Sequence, residues 1–143
     1  MGTMHPMITT EKQIRFQHCD PAGIVFYPQY FYLLSEAMED FMAATGKPQH
    51  ESINVKKRGW PIVKLEAAFV GMSRYGDIVW IDVGIRRIGG ASLVFDYRIR
   101  GDNGDRMRAI GTVVHVDLAT DRPVPIPPDV RAAFEPHVMA SIG

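Results

Sequence analysis

Between residues 18 and 28 the chain reads His18-Cys19-Asp20-Pro21-Ala22-Gly23-Ile24-Val25-Phe26-Tyr27-Pro28, and this stretch gathers side chains suited to acyl-transfer chemistry. Asp20 supplies a carboxylate able to act as a nucleophile or as a general base. A few residues later a helical apolar pattern begins, so Asp20 lies close in sequence to a helix N-terminus, where several backbone N–H groups lack helical partners. Those donors and the helix dipole favour developing negative charge, the requirement of an oxyanion site. A purely conformational reading competes with this one. Asp before Pro is common in turns, because its carboxylate bonds to nearby backbone. His18 beside Cys19 suggests Cys–His nucleophilic chemistry, but neighbours on a strand point to opposite faces. Cys19 is therefore read as a small buried side chain and His18 as a core histidine. The histidines at 18, 50, 115 and 137 show no metal-ligand spacing, and no glycine-rich phosphate loop lies between a strand and a helix. Neither a metal nor a cofactor is expected. Glu39 and Asp40 read as solvated helix surface; Glu36 reads as a surface position flanking the apolar stripe, the alternative being reach into a pocket; and Arg86 and Arg87 read as solvated arginines at a strand end, the alternative being contact with phosphate groups.

The elements that would position Asp20 are legible from periodicity. Gln13 to His18 alternates, with Ile14, Phe16 and His18 on one face, which predicts a half-buried strand leading into the turn. Tyr30, Leu33, Leu34, Ala37, Met38 and Phe41 then recur at three- and four-residue steps, closed by Thr45, which predicts one helix of about four turns. Pro28 suits its first turn, and Gly46 suits the left-handed position just past its end. Lys47 to Gly59 is polar and irregular, a loop with room for a short helix. Four strand-like runs follow: Val63 to Phe69, Val79 to Ile85, Leu93 to Ile99, and the more mixed Met107 to Asp117. Gly89-Gly90 and Gly101-Asp102-Asn103-Gly104 are turn signals between them, so three consecutive strands read as an antiparallel meander. Arg122 to Pro128 is proline-rich, and Val130 to Met139 reads as a short terminal helix interrupted by Pro136. One helix cannot cover both faces of a five-stranded sheet. The economical solution is an α+β fold with the sheet curled around the helix, leaving an uncovered face and free edges that favour oligomers.

Composition sets the frame. A length of 143 residues suits one domain, 1–143, with its own core, and 46% hydrophobic with 22% charged residues is ordinary for a globular chain. Sixteen basic residues balance sixteen acidic ones, so no global field draws the protein to nucleic acid or an anionic membrane. The single cysteine, Cys19, excludes an internal disulfide and fits a reducing compartment. No stretch approaches a membrane span, and Met1 to Thr10 lacks the layout of a secretory signal. A cytoplasmic protein is the expectation.

The segment Phe16 to Tyr30, F-Q-H-C-D-P-A-G-I-V-F-Y-P-Q-Y, resembles the 4-hydroxybenzoyl-CoA thioesterase family. Weaker similarity continues through Gly59-Trp60-Pro61-Ile62-Val63, Ala68-Phe69-Val70, Tyr75-x-Asp77, Ala91-Ser92-Leu93-Val94 and Arg122-Pro123, in the order of the expected elements. The resemblance implies a hotdog fold, an antiparallel five-stranded sheet wrapped around one long central helix. It also implies dimers, commonly paired into homotetramers, with active sites at the subunit interface. It assigns catalysis to Asp20 and the carbonyl-polarising N–H to Tyr27. The Pro61-Ile62 region, with Trp60 beside it, is implied to line the substrate. Ser92 matches a family serine, and Arg122 matches a basic residue suited to the CoA phosphates. Where the family carries a basic run before that serine, this chain has Gly89, Gly90 and Ala91, and its arginines sit earlier, at Arg86 and Arg87. Trp60 replaces a smaller polar residue. Related short-chain acyl-CoA thioesterases of the cell-envelope Tol–Pal system carry histidine where this chain has Pro28, a departure that favours the aromatic-type site. The expected activity is hydrolysis of an acyl-CoA, aromatic in the family pattern, with Asp20 as nucleophile or general base. The alternatives are a short-chain aliphatic acyl-CoA or acyl-carrier-protein thioesterase, and a non-catalytic acyl-CoA-binding module.

Overall fold

The computed structural model describes residues 6–140; the remainder of the single domain expected over 1–143, including the start of the opening segment, lies outside the described residues. Five strands form one antiparallel sheet. They are β1 (Ile8–Gln13), β3 (Ile62–Phe69), β4 (Ile78–Ile88), β5 (Ser92–Gly101) and β6 (Gly104–Val114), in the spatial order β1-β4-β5-β6-β3. The meander expected from the glycine turns is β4-β5-β6, and β1 pairs antiparallel with β4 from Ile8 opposite Val83 to Gln13 opposite Ile78.

One long helix, α1 (Pro28–Ala44), lies on this sheet and buries Tyr30, Leu33, Leu34, Ala37, Met38, Phe41 and Met42. Those side chains share a core with Val79, Ile81, Val83 and Ile85 of β4, Leu93, Phe95 and Ile99 of β5, and Met107 and Val113 of β6. The three- and four-residue apolar spacing thus places one helix stripe against one sheet face. Pro28 occupies the first turn, Gly46 ends the helix at φ 83°, and Lys47 N–H donates to the Met42 carbonyl at 2.9 Å, closing the C-terminus with a left-handed residue. A sheet with one long helix on its core face is the hotdog arrangement anticipated from the sequence.

Three features differ from the sequence expectation. The first strand is Ile8–Gln13 rather than Gln13 to His18, and Phe16–His18 is a 3₁₀ turn. Ile14 and His18 are buried as expected, but Phe16 is 76% exposed. The turn forms because the His18 imidazole Nδ1 accepts the Arg15 N–H at 2.8 Å, a local bond that replaces a ladder bond. Second, a small sheet of two-residue strands appears: β2 (Arg58–Gly59), β7 (Val116–Asp117) and β8 (Arg122–Pro123), in the order β2-β7-β8. Strands that short carry no period. Third, all eight residues of edge strand β3 are exposed, although Val63, Leu65, Ala67 and Phe69 alternate with Lys64 and Glu66 in the sequence. The short helices α2 (Gln49–Asn54) and α3 (Pro128–Phe134) complete the chain, and a 3₁₀ turn at Glu135–His137 follows α3 where Pro136 interrupts the terminal run. Among the described residues no helix is long and apolar enough to cross a membrane.

Candidate active site

The loop between the 3₁₀ turn and α1 folds back on itself. Asp20 N–H donates to the Ile24 carbonyl at 2.9 Å, Gly23 N–H to the Asp20 carbonyl at 2.9 Å, and Phe26 N–H to the His18 carbonyl at 2.9 Å. Gly23 turns at φ 78°, a conformation that residues bearing a Cβ adopt at a cost. Asp20 is half-buried, and one carboxylate oxygen, Oδ1, accepts the Ala22 N–H at 2.8 Å. The turn role foreseen for an Asp-Pro pair is therefore real, and it leaves the second oxygen, Oδ2, with no partner among the described residues. A cleft of about 290 Å³ opens beside it, lined by Gln17, Cys19, Asp20, Pro21, Phe26 and Gln29.

Tyr27 stands at the helix boundary with φ −53° and ψ −35°, already helical, and Pro28 follows. The Gln29 and Tyr30 N–H groups donate to the Phe26 and Tyr27 carbonyls, whereas the Tyr27 N–H has no backbone acceptor among the described residues. A donor at a helix start and a carboxylate oxygen seven residues before it, both without partners among the described residues, are the kinds of group that acyl transfer uses. The neighbouring thiol takes no part in a Cys–His pair. Cys19 Sγ contacts the Arg15 carbonyl at 3.5 Å, the His18 Nδ1 is occupied by the Arg15 N–H, and burial, aided by the Asp20 charge, pushes the Cys19 thiol up from its ordinary value. A thiol held protonated is a poor nucleophile.

The implied substrate-lining residues lie elsewhere on the chain. Trp60 and Ile62 line a second cleft of about 290 Å³ with Phe31, Leu34, Met38 and Tyr97. Trp60 is itself 7% exposed, its ring 4.6 Å from that of His115 and 6.2 Å from that of Phe134. It is a core residue with one edge on the cleft. Tyr97 is 4% exposed, its hydroxyl has no protein partner among the described residues, and burial pushes its ionisation far above the ordinary range. Pro61 is exposed and accepts the Val114 N–H through its carbonyl at 3.0 Å. Ser92 opens β5 opposite Val114 and lines neither cleft. Arg122 is exposed on β8 opposite Asp117. Arg86, by contrast, is held by Asp96 at 2.7 Å, and Asp40 by Lys12 at 3.0 Å. Within one chain, Asp20 shares a cleft with Phe26 and Gln29 on either side of Tyr27 in sequence, Trp60 and Ile62 share the other cleft, and the two clefts have no residue in common. The sequence reading missed Phe26 and Gln29 beside Asp20, and Phe31 and Tyr97 beside Trp60. Phe26 and Gln29 were visible as members of the Phe16 to Tyr30 segment to which no role was given, and Phe31 as a residue flanking the helix stripe. For Tyr97 the alternation of its strand signalled only burial.

Residues 14–134 match the model of the Thioesterase-like superfamily. The 4-hydroxybenzoyl-CoA thioesterase of Pseudomonas sp. (strain CBS-3) is 36% identical over 81 residues, a match that spans 55% of this chain and only 57% of that relative. Among solved structures, that of gentisyl-coenzyme A thioesterase BH1999 is 30% identical with a TM-score of 0.82, covering 89% of this chain and 99% of the other. A mutant 4-hydroxybenzoyl CoA thioesterase complexed with 4-hydroxybenzoyl CoA is 28% identical with a TM-score of 0.82, covering 90% and 99%.

Proposed function

The chain belongs to the Thioesterase-like superfamily, and from that premise we propose that it is a thioester hydrolase that cleaves an acyl-CoA to the free acid and CoA, with Asp20 carrying the chemistry. The observation behind this reading is the pairing of a carboxylate oxygen left free beside a cleft with an unpartnered helix-start N–H at Tyr27. With the thioester carbonyl at the start of α1, Asp20 attacks the carbonyl carbon, the CoA thiolate leaves, and water cleaves the resulting mixed anhydride. In the general-base variant, Asp20 instead takes the proton of a water that attacks the same carbon. In both, the Tyr27 N–H stabilises the oxyanion; one such donor is worth about 3 kcal/mol of transition-state stabilisation.

The acyl group belongs, in this reading, to the cleft lined by Trp60, Ile62, Phe31 and Tyr97. Its aromatic walls and the unpaired Tyr97 hydroxyl suit an aromatic acyl group carrying a polar substituent, in keeping with the 4-hydroxybenzoyl and gentisyl thioesters named for the relatives. Because the two clefts are separate in one chain, the complete site is formed between two copies of the chain in a homo-oligomer. Exposed Ile62, Val63, Leu65 and Phe69 on edge strand β3 support this. Arg122, exposed and without an acidic partner among the described residues, and Ser92 are assigned to the CoA moiety.

The test is a panel of aromatic and aliphatic acyl-CoA and acyl-carrier-protein thioesters, read by release of free thiol, on wild type, Asp20→Asn and Asp20→Ala. Hydrolysis by wild type and its near-complete loss in both variants, with CoA-ester binding retained, is expected. Near-normal turnover by Asp20→Ala rules the site out, and binding without turnover in wild type points to a non-catalytic module.

A further inference from the structure

Among the described residues, Arg106 on β6 is the only lysine or arginine that is buried, at 8% exposure. Taking a guanidinium out of water costs several kcal/mol unless its hydrogen bonds are met. Its Nη1 group donates to the Met72 carbonyl at 2.8 Å, to Ser73 Oγ at 3.1 Å and to Asp77 Oδ2 at 3.1 Å. Space for the group is made by Gly101, where a Cβ would collide with the guanidinium. A charge this carefully housed on the sheet has no part in the chemistry assigned to Asp20.

Its partners lead to that chemistry. Ser73 is 1% exposed and receives a second hydrogen bond from the Tyr30 hydroxyl at 3.0 Å. Tyr30 belongs to the first turn of α1, three residues beyond Tyr27. The Ser73 carbonyl accepts the Val25 N–H at 2.9 Å, and Tyr75 N–H donates to the Gly23 carbonyl at 2.9 Å. Asp77, which also accepts the Arg74 N–H at 2.9 Å, closes the same loop. The residues from 73 to 77 therefore form a clamp. One side grips the hairpin-like loop that carries Asp20, and the other grips the helix turn that presents the Tyr27 N–H. Arg106 ties the clamp to the sheet.

We propose that Arg106 is a positioning residue, which through Ser73 fixes the Asp20 loop and the first turn of α1 in one mutual geometry. This rests on the reading that Asp20 carries hydrolysis. Acyl transfer is sensitive to such geometry, and a displacement of about 1 Å costs on the order of 100-fold in rate. No residue of the clamp itself lines either cleft, so substrate affinity depends on it little.

The experiment compares Arg106→Gln, Arg106→Lys, Ser73→Ala and Tyr30→Phe with wild type and Asp20→Ala, on the acyl-CoA that wild type hydrolyses best. Arg100→Gln serves as a control, since it breaks a comparable arginine–aspartate pair with Asp82 (2.9 Å) without touching the clamp. At a temperature where each variant is folded by near-ultraviolet circular dichroism, Arg106→Gln lowers kcat by about 10- to 100-fold with KM within about twofold. Arg106→Lys restores part of the loss, and Ser73→Ala adds little to Arg106→Gln, because both act through one contact. Arg100→Gln loses thermal stability and keeps its kcat. If Arg106→Gln does not fold, Ser73→Ala and Tyr30→Phe, each lacking a single hydroxyl, carry the test. Wild-type kcat in folded Arg106→Gln, or in both hydroxyl variants, overturns the proposal, as does a kcat that merely follows the folded fraction. Turnover by Asp20→Ala overturns the underlying reading as well, whereas an inactive Asp20→Ala beside an unimpaired Arg106→Gln overturns this inference alone.

Discussion

At the residue scale, a side chain's contacts decide what its replacement does. Trp60 lines a cleft, yet its ring is enclosed by His115 and Phe134. Trp60→Ala is expected to cost about 3–5 kcal/mol of stability, read by urea unfolding, before any effect on substrate can be measured. Ile62, on the same cleft, is 54% exposed. Ile62→Ala should leave stability within about 0.5 kcal/mol while raising KM for acyl-CoA, and an unchanged KM would remove Ile62 from the substrate site. The same contrast explains what the sequence revealed. The turn at Asp20 was legible because Asp20, its proline and the helix start that follows are consecutive. Arg106 and Ser73 were not legible, because the bond that gives them meaning spans 33 positions along the chain.

At the element scale, helix α1 was readable from both ends, since Pro28 and Gly46 mark boundaries for mechanical reasons and the apolar stripe between them is continuous. Strand β1 was not readable. Its Thr9, Thr10, Glu11 and Lys12 carry no apolar alternation because they form an edge, and the alternation just beyond it belongs to a 3₁₀ turn capped by His18. Strand β3 alternates, yet all eight of its residues stay exposed among the described residues, Phe69 included although its ring meets those of Tyr27, Tyr30 and Phe31. Charge on that face should disrupt pairing between copies and leave the domain folded. The double variant Val63→Lys with Leu65→Lys is expected to be monomeric by light scattering, with wild-type far-ultraviolet circular dichroism and little turnover. An oligomer of unchanged size would place the contact elsewhere.

At the scale of the whole molecule, two buried histidines contribute to the response to acid just below neutral pH. Burial lowers the pKa of both His18 and His115 from the ordinary 6.5, against smaller opposing effects from Glu36 and from the Val124 carbonyl respectively. The unfolded chain therefore binds more protons than the folded one as the pH drops through that value. The stabilisation is complete above about pH 6.5 and is lost as the pH falls through the folded-state values. The melting temperature should accordingly be lower at pH 5 than at pH 7.5. His18→Gln, which removes one of the two groups, should show a shallower decline, and an identical decline would exclude His18 as a source. The open border of β3 bears on quantity as well as on structure. If each working centre draws on two copies of the chain, then catalytic output per molecule is set partly by how much protein is present. Serial dilution should reveal a threshold below which specific activity drops away, and added crowding agent or raised enzyme concentration should bring it back.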